Sequence, residues 1–443
     1  MPTGDGLLVR LRLSGGALAP AMASAIARLA RTCGNGIIEV SSRANLQLRG
    51  VRDETLGPLQ DGLGQLGLLD ESAEAESLRN VMTSPLAGLD PGKVLDIRPV
   101  ALALERRLCA SPALQALPGK FLFLIDDGSH GGLCGIAADA RFELDHDGPS
   151  PQFRLSLGGA EQVTLAVCSA ARLPDMAANV AGVFLALSGQ GETADRRMRQ
   201  LVERLGLEAI AARIEGDIQA TESNRPCERS EAIQWVATRT HWIASLRSQG
   251  RDSPRGLTRQ GPAAFLGAQP FGEGWFAGVA APFGRLHAGD LEKLARLLLR
   301  HGGTELRLTP WRMLLATGLS GACAQALVAD LRATSWVLDG DDPRLAVAAC
   351  SGFNACARAT TQVQSDAAQL AALLPASTGI QLHVSGCGKG CAHNRPAAVT
   401  LVGRDGRYDW VDNGRARDQP THQALALAEV IAIFEERLSA AQA

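Results

Sequence analysis

The stretch GLLVRLRLSGGALAPAMASAIARLARTCGNGIIEVSSRANLQLRGV, residues 6–51, returns in altered form as GWFAGVAAPFGRLHAGDLEKLARLLLRHGGTELRLTPWRMLLATGL, residues 274–319. Each copy has the pattern of an apolar strand, a helix, a glycine and a second strand. Aligned without a gap at an offset of 268 residues, the copies share nine identities, which in the first copy are Gly6, Gly16, Leu18, Ala27, Arg28, Leu29, Gly34, Leu46 and Gly50. The sequence therefore predicts a duplicated chain.

Periodicity predicts the elements within each copy. Apolar residues recur at helical spacing in both copies: Met22, Ile26, Leu29 and Cys33 in the first, and Leu291, Leu294 and Leu298 in the second. Asp290 is the predicted N-cap of the second helix. After Gly34, apolar and polar residues alternate as in a half-buried strand: Ile38, Val40, Leu46 and Leu48 against Arg43, Asn45, Gln47 and Arg49. The simplest explanation of the polar set is the solvated outer face of a sheet.

The two copies give the chain an A-B-A'-B' plan. A larger mixed segment follows each copy and ends in a predicted helix, near 193–213 and near 423–440. A polar stretch rich in Arg, Ser and Gln separates the halves, and we interpret it as a linker or surface insertion. The predicted segments are 1–70 and 261–325 for the copies, 71–215 and 326–443 for the mixed segments, and 216–260 for the linker. The fold class is α+β.

Composition indicates a globular, multidomain protein, since 443 residues exceed one typical domain and 46% are hydrophobic. A formal net charge of -2 creates no field that attracts nucleic acid, so none is expected as a partner. The start, MPTGDG, lacks a signal-peptide pattern, and no long uncharged apolar run follows, so we expect a cytoplasmic protein without a membrane partner. In a reducing compartment, ten cysteines indicate metal or redox chemistry rather than disulfides.

Four cysteines form the strongest chemical motif. Cys350 and Cys356 enclose SGFNA, and Cys387 and Cys391 enclose GKG. Four thiolates are what a 4Fe-4S cluster requires, whereas structural zinc sites usually space their cysteine pairs two to four residues apart. We predict the cluster, with zinc or unligated cysteines as the alternatives. The glycines at 352, 386, 388 and 390 would let backbone N–H groups approach the cluster sulfurs.

This C-x5-C…C-x3-C pattern resembles the nitrite and sulfite reductase superfamily, in which it ligates a 4Fe-4S cluster beside a tetrapyrrole. The resemblance spans nearly the whole chain. It implies two ferredoxin-like half-domains that pair about a pseudo-twofold, each followed by an α/β domain. Three further segments look like the family's anion and tetrapyrrole contacts: SSRANLQLRG at 41–50, LRNVMTSPLAGLDP at 78–91 and LPGKF at 117–121.

The resemblance also assigns residues to a substrate site. By position, Arg43, Arg79 and Lys120 match family residues on the substrate side of the macrocycle, which implies a catalytic role. Arg binds a carboxylate through two parallel N–H···O bonds. The polar side chains that alternate along the predicted strand, Arg43, Asn45, Gln47 and Arg49, are called the polar comb. They suit a ring that carries many carboxylates. The predicted substrate-binding residues are Arg43, Asn45, Gln47, Arg49, Arg79 and Lys120. Each could instead be an ordinary surface or turn residue.

At one position this chain differs from the sulfite-reducing members of the superfamily. Sulfite-reducing members carry a second Lys two residues after the first, where this chain has Leu122. Losing that cation weakens the binding of a small oxyanion, which disfavours multi-electron reduction of sulfite or nitrite. In contrast, LTPWR at 308–312 and HVSGCGKGCAH at 383–393 resemble the precorrin-3B synthases of aerobic cobalamin biosynthesis.

That second resemblance implies an oxygen-dependent monooxygenase whose tetrapyrrole is the substrate. Members use a 4Fe-4S cluster and a mononuclear non-haem iron to hydroxylate precorrin-3A at C20 and close a γ-lactone, giving precorrin-3B. Dioxygen and an electron donor (a reductase, a ferredoxin or an NAD(P)H-derived source) are the implied partners. The sequence does not disclose the iron ligands, and the residues to test are His383, His393, Asp126, Asp127 and His130.

Two other functions stay open at this point. One is a sirohaem-dependent sulfite or nitrite reductase, in which Cys391 would also bridge to the haem iron. The other is a non-catalytic electron-transfer or tetrapyrrole-binding subunit. The reductase differs from the monooxygenase in its cofactor, and the subunit differs from both because it has no turnover.

Overall fold

The computed structural model describes residues 1–70, 72–93, 95–129, 132–133, 135–189, 191, 194–223, 234–235, 262–375 and 379–442. The chain forms two compact units. The first comprises Met1–Leu11, Leu18–Leu68 and Arg259–Ala443, and the second comprises Arg12–Ala17 and Leu69–Thr258. Most of the predicted linker, 216–260, lies outside the described residues.

The first copy of the repeat opens the first unit. Its elements are β1 (Pro2–Thr3), β2 (Gly6–Leu11), β3 (Ala17–Leu18), α1 (Pro20–Cys33), β4 (Ile37–Val40), β5 (Leu46–Val51) and α2 (Asp53–Gln65). The predicted helix is present, and Ile26, Ile38 and Leu48 are fully buried. The single alternating strand predicted after Gly34 is instead two antiparallel strands, β4 and β5, joined by a turn at 41–45. Pro20 occupies the first turn of α1, where its missing N–H leaves no intrahelical hydrogen bond unmade.

The second unit is a sheet covered by helices. Its elements are α3 (Ala73–Leu78), β6 (Val81–Thr83), α4 (Arg98–Cys109), β7 (Phe123–Asp126), β8 (Ala140–His146), β9 (Gln152–Leu157), β10 (Ala166–Ser169), α5 (Leu173–Leu187), α6 (Met198–Leu205), α7 (Leu207–Ser223) and β11 (Gln234–Trp235). The strand order is β11-β10-β9-β8-β7-β6, with β6, β7 and β8 parallel. Phe121 packs against Phe123 and Phe184 in the core, at centroid distances of 5.1 and 4.9 Å.

The second copy returns the chain to the first unit. Its elements are β12 (Gly267–Phe271), β13 (Gly274–Ala280), β14 (Arg285–His287), α8 (Ala288–Arg300), β15 (Glu305–Leu308), β16 (Met313–Leu319) and α9 (Gly321–Leu331). At the 268-residue offset, β4 coincides with β15, and α1 corresponds to α8. The predicted N-cap is wrong, because α8 begins at Ala288 and Asp290 lies in its first turn, where it accepts a hydrogen bond from Ser335.

The two copies exchange short strands. The first sheet has the order β1-β2-β5-β4-β14, so a strand of the second copy completes it. The second sheet has the order β12-β13-β16-β15-β3, and its last strand comes from the first copy. Helices α1 and α8 also pack against each other. This reciprocal arrangement confirms the predicted duplication about a pseudo-twofold.

The last part of the first unit carries the cysteine motif. Its elements are β17 (Val347–Ala349), α10 (Val363–Ala371), β18 (Leu382–Ser385), β19 (Ala397–Arg404), β20 (Arg407–Gly414), β21 (His422–Leu425) and α11 (Leu427–Gln442). Strands β17, β18 and β19 are parallel and β19 to β21 antiparallel, which repeats the pattern of β6 to β10. The predicted α+β, A-B-A'-B' plan is therefore confirmed.

Short 3-10 helices join several elements, at Ser14–Gly16, Pro112–Leu114, Pro262–Phe265, Pro282–Gly284 and Pro343–Ala346. Those at Ser14–Gly16 and Pro282–Gly284 occupy equivalent positions in the two copies. None of the helices in the described ranges has the length and apolar character needed to cross a membrane.

Candidate functional site

Two loops of the first unit carry the four motif cysteines. Cys350 directly follows β17, and Cys387 comes two residues after β18. Because β17 and β18 are parallel neighbours, both loops leave the same edge of the sheet. Cys356 and Cys391 lie farther along the same two loops, and all four thiols are free.

Backbone groups bind the first of these thiols. The Gly386 N–H donates to Cys350 Sγ at 3.2 Å, which joins the second loop to the first. Burial raises the pKa of the Cys350 thiol, whereas N–H groups of Gly386 and Gly352 lower it, and the nearby thiols of Cys391 and Cys356 raise it further. Three of the four cysteines are therefore close enough to influence one another.

Glycines let the loops pack closely. A Cβ on Gly386 would lie 2.5 Å from the Cβ of Ala359, and one on Gly4 would lie 3.0 Å from the backbone nitrogen of Cys356. Gly352 has a φ of 78°, which a side chain rarely adopts. Of the four glycines predicted to bring N–H groups to the sulfurs, Gly386 and Gly352 do so at Cys350.

The donor set suits an iron-sulfur cubane, in which each of four thiolates binds a different iron. The Gly386 N–H already donates to one sulfur, and N–H groups bond to the ligand sulfurs of such clusters in the same way. Within the described ranges, no three His, Cys, Asp or Glu side chains are gathered for a single metal ion. The cluster assignment accordingly rests on the four loop cysteines, and we assign no residues to a mononuclear iron.

Arg49 holds the first cysteine loop. Its guanidinium pairs with Asp5 (2.9 Å) and Glu39 (3.3 Å), and its side chain is only 3% exposed. It also donates to Ser351 Oγ at 3.4 Å and to the carbonyl oxygen of Ala355, both between Cys350 and Cys356. A contact of Arg49 with a substrate stays a prediction, because the bonds described here all join Arg49 to other residues of the chain.

Of the other residues of the polar comb, Gln47 lies on β5, whereas Arg43 and Asn45 lie in the turn at 41–45 that joins β4 to β5. The prediction that all four residues share one strand is therefore wrong for these two. Asn45 is buried, whereas Arg43 and Gln47 are half-buried. Gln47 stands opposite Glu39, and Arg285 of β14 stands on the far side of Glu39. The comb is therefore part of a partly enclosed charged surface and not a fully solvated outer face.

Arg285 brings the second copy to the same loop. It donates to the carbonyl oxygen of Ser351 at 3.3 Å, while Ser351 Oγ donates to Glu39 at 2.9 Å. Burial lowers the pKa of Arg285, and Glu39 raises it. Each half-domain thus contributes one arginine to the loop that carries Cys350 and Cys356.

Arg79 lies in the second unit and already has an ionic partner. Its Nε lies 2.6 Å from an oxygen of Asp70, and it donates to Ser14 Oγ and to the carbonyl oxygen of Arg12, both at 3.3 Å. Burial raises the pKa of the neighbouring Glu105, which accepts a hydrogen bond from Ser14. A substrate carboxylate would have to compete with Asp70 for Arg79.

Lys120 and Leu122 differ sharply in burial. Lys120 is exposed at the surface of the second unit. Leu122 is 3% exposed and belongs to an apolar cluster with Met82, Leu124, Leu133 and Ala138. Its backbone N–H donates to Asp139 at 2.8 Å. Position 122 therefore accommodates an apolar side chain.

His383 is the first of the residues considered for a mononuclear iron. It is fully buried on β18, its ring lies 5.9 Å from that of His393, and neither of its ring nitrogens has a hydrogen-bond partner. Burial, and to a smaller extent the neighbouring His393, lowers its pKa to about 4. Burial likewise lowers the pKa of His393. Both rings therefore favour the neutral form.

The other three lie in the second unit. Asp126 uses one oxygen to accept from Ser84 Oγ and the Gly128 N–H, both at 2.9 Å, and the other to accept from Leu133 N at 2.8 Å. Asp127 is fully buried, and one of its carboxylate oxygens accepts no hydrogen bond. His130 lies outside the described residues.

The sequence patterns missed several residues of the site: Asp5, Glu39, Arg285, Arg312 and Ser351. Glu39 lies between the apolar residues Ile38 and Val40, a pattern that could have placed it on a polar strand face but would have given no partner for it. The signal for Arg312 was present, because the 268-residue offset sets it against Ala44.

Comparison with known proteins agrees with this architecture. The description "Nitrite/Sulfite reductase ferredoxin-like half domain" matches residues 1–66 and 268–334. A precorrin-3B synthase from Sinorhizobium sp is 29% identical over 95% of this chain and 82% of its own length. A ferredoxin–nitrite reductase from Synechococcus elongatus is 25% identical over 91% of this chain and 77% of its own. The NirA protein of Mycobacterium tuberculosis has the same fold, with a TM-score of 0.69, 21% identity and coverage of 96% and 78%.

Replacing Arg49 by Leu should destabilise the protein and loosen its cluster. The change leaves Asp5 and Glu39 without their cation, which costs about 3 kcal/mol for a buried pair. We expect a lower denaturant midpoint and faster loss of iron and sulfide from the loaded protein. Arg199→Leu is the control, because that side chain is 69% exposed and should cost less than about 1 kcal/mol. Equal effects of the two changes would contradict the Arg49 network.

His383 should make stability depend on pH. Its pKa is lowered from 6.5 to about 4 in the folded chain, so the unfolded chain binds the proton first as pH falls. Stability is therefore complete above pH 6.5 and declines towards pH 4. From pH 7.5 to 5.5 the loss should be about 1 kcal/mol, measured by urea unfolding under nitrogen. The decline should become clearly smaller in His383→Leu, where the lowered pKa of His393 still contributes, and should be unchanged in His146→Gln. A decline of the original size in His383→Leu would refute this assignment.

Proposed function

We propose that this chain is a redox enzyme of the nitrite and sulfite reductase superfamily and, more specifically, an oxygen-dependent monooxygenase of cobalamin biosynthesis. Its proposed reaction is that of a precorrin-3B synthase: hydroxylation of precorrin-3A at C20 with closure of a γ-lactone. One atom of dioxygen enters the substrate and the other leaves as water. The two electrons and two protons that this requires come from an external donor and from solvent.

The observation that carries the proposal is the apolar environment of Leu122. Sulfite-reducing members resemble this chain but place a second Lys there, and that cation helps to bind a small dianion. Here the side chain is 3% exposed among apolar neighbours, so the site lacks that charge. The likeness to a precorrin-3B synthase over 95% of this chain supports the same choice.

The proposed cofactor is one 4Fe-4S cluster held by Cys350, Cys356, Cys387 and Cys391. When bound, the cluster would supply single electrons to the reaction. The chain's own residues fix the two cysteine loops. Gly386 of the second loop donates to Cys350 Sγ of the first, and Arg49 and Arg285 donate to the hydroxyl and carbonyl oxygens of Ser351. Hydrogen bonds and positive charges near such a cluster raise its reduction potential.

The proposed substrate contacts come from the polar comb and from the second unit. Gln47 stands opposite Glu39 on the first sheet, and Arg43 and Asn45 lie in the turn just before β5, where carboxylates of a macrocycle could be bound. Arg79 and Lys120 are proposed to bind further carboxylates, with Arg79 exchanging its bond to Asp70. Fixing several carboxylates at once would orient the ring edge that reacts, which is the protein's main part in the rate.

The physiological electron donor is proposed to be a ferredoxin or a reductase. The runner-up function is a sirohaem-dependent reductase, which the similarity to ferredoxin–nitrite reductases favours. In that case nitrite or sulfite, and not a free tetrapyrrole, would be the substrate.

Turnover with labelled dioxygen tests the proposal. The anaerobically purified protein would be mixed with precorrin-3A and a reductant and then exposed to isotope-labelled dioxygen. We expect one labelled oxygen atom in a lactone product, detected by mass spectrometry. Cys356→Ser should lose both cluster and product, because one cluster ligand is missing.

The matched control is Cys33→Ser, which alters a buried cysteine outside the motif. It should keep the cluster and the product. Reduction of nitrite or sulfite by the wild-type protein, together with unlabelled and unchanged precorrin-3A, would instead establish the reductase.

A further inference from the structure

A cavity of about 210 Å³ lies in the first unit beside two of the motif cysteines. Both half-domains and the cysteine-bearing domain contribute to its wall, which includes Glu39, Gln47, Arg312, Gln364, Cys350 and Cys391. The other two cysteines are not part of this wall. The cavity therefore borders the motif on the side of Cys350 and Cys391, which is called the Cys350–Cys391 edge.

The two charged residues of the wall differ in their partners. Glu39 is bound by Arg49 at 3.3 Å and by Ser351 at 2.9 Å. Arg312 donates through Nη1 to the carbonyl oxygen of Phe283 at 2.9 Å. Among the described residues, no carboxylate lies within ion-pair distance of Arg312. Arg312 is half-buried. A partly desolvated guanidinium with no carboxylate beside it favours the binding of an anion.

Burial also disfavours the charged form of Arg312 unless an anion is bound. It lowers the pKa of the guanidinium, and the charge of Glu39 only partly opposes that effect. An arginine nevertheless stays protonated in proteins, so the charge persists inside the cavity wall.

The backbone at Arg312 is unusual as well. Its φ is 62°, and Phe283, also in the cavity wall, has a φ of 54°. Such left-handed angles cost free energy in residues other than glycine, and they concentrate at ligand sites. Gly284 leaves room for the arginine, because a Cβ there would lie 2.5 Å from Arg312 Cδ.

The duplication shows what is specific to this position. The residue of the first copy that corresponds to Arg312 is Ala44, and its φ of 53° is nearly the same. Both copies therefore make the same turn, but only in the second is the left-handed residue itself charged; the first copy has its arginine one position earlier, at Arg43. The turn itself needs no arginine, since alanine serves in the first copy.

We propose that Arg312 binds a carboxylate of the tetrapyrrole substrate in this cavity and so holds the macrocycle against the Cys350–Cys391 edge. The substrate class rests on the proposed function; the need for an anion does not. The fork of a guanidinium matches the two oxygens of a carboxylate. Arg49 and Arg285 offset the charge of Glu39, so that residue does not exclude an incoming anion.

Binding of uroporphyrin III, a carboxylate-rich tetrapyrrole, tests the proposal. Its Kd would be measured by fluorescence with the cluster-loaded protein and three variants: Arg312→Leu, Arg312→Lys and the control Arg404→Leu. Loss of one charge-assisted bidentate contact should weaken binding about 10- to 100-fold in Arg312→Leu. Arg312→Lys should recover part of that loss. Arg404 is 72% exposed on the same unit, and its replacement should leave the Kd within about twofold.

An unchanged Kd in Arg312→Leu, with iron and sulfide retained, would overturn the proposal. If that variant loses its cluster, Arg312→Gln takes its place, and equal affinity of Arg312→Gln and wild type would overturn it equally. A free oxyanion is the other source of the same chemistry, so nitrite would be added as a competitor. Displacement of uroporphyrin III by nitrite in wild type but not in Arg312→Lys would assign the cavity to a small anion and overturn the proposal.

The outcome is separable from that of the proposed function. A weakened Kd in Arg312→Leu together with no conversion of precorrin-3A would sustain the binding residue and reject the monooxygenase. Conversion of precorrin-3A together with an unchanged Kd would do the opposite.

Discussion

The antiparallel pairing of β4 with β14 is the interaction on which the site depends. It adds a strand of the second copy to the sheet of the first, so backbone N–H and C=O groups along that side of β4 are paired instead of forming the edge of the sheet. The same pairing sets Arg285 opposite Glu39 and places Phe283 and Gly284, just before β14, in the cavity wall. Neither copy could build this surface alone, so the duplication is a structural requirement of the site.

The charges around the cysteine loops have separate tasks. Arg49 is surrounded by oxygens of Asp5, Glu39 and the first cysteine loop. By binding that loop it positions Cys350 and Cys356. Arg312 has a single carbonyl partner, and its remaining donors belong to a ligand in our account. A buried charge must be paired, so the partner that a guanidinium already has is a guide to its role. By this criterion Arg79, bound to Asp70, must exchange partners before it can bind substrate.

Much of this could be predicted from the sequence, and the failures have physical causes. A gap-free offset revealed the duplication, and cysteine spacing revealed the loops, because both signals are local in the chain. Alternation showed that Arg49 shares a face with Gln47, but it could not show that Asp5 and the 351–355 loop cover part of that face. Asp290 looked like an N-cap, yet the helix begins two residues earlier, where the chain leaves β14. Arg312 escaped notice because its importance lies in a missing partner, which only three-dimensional packing reveals.

The central claim is that Cys350, Cys356, Cys387 and Cys391 hold one 4Fe-4S cluster in an enzyme whose tetrapyrrole is a substrate and not a bound cofactor. Low-temperature electron paramagnetic resonance of the reduced, anaerobically purified protein, combined with its visible spectrum, tests this most directly. The account predicts one paramagnetic cluster per chain and a broad cluster absorption without sharp porphyrin-like bands. Sharp sirohaem bands, or zinc in place of iron and sulfide, would contradict it.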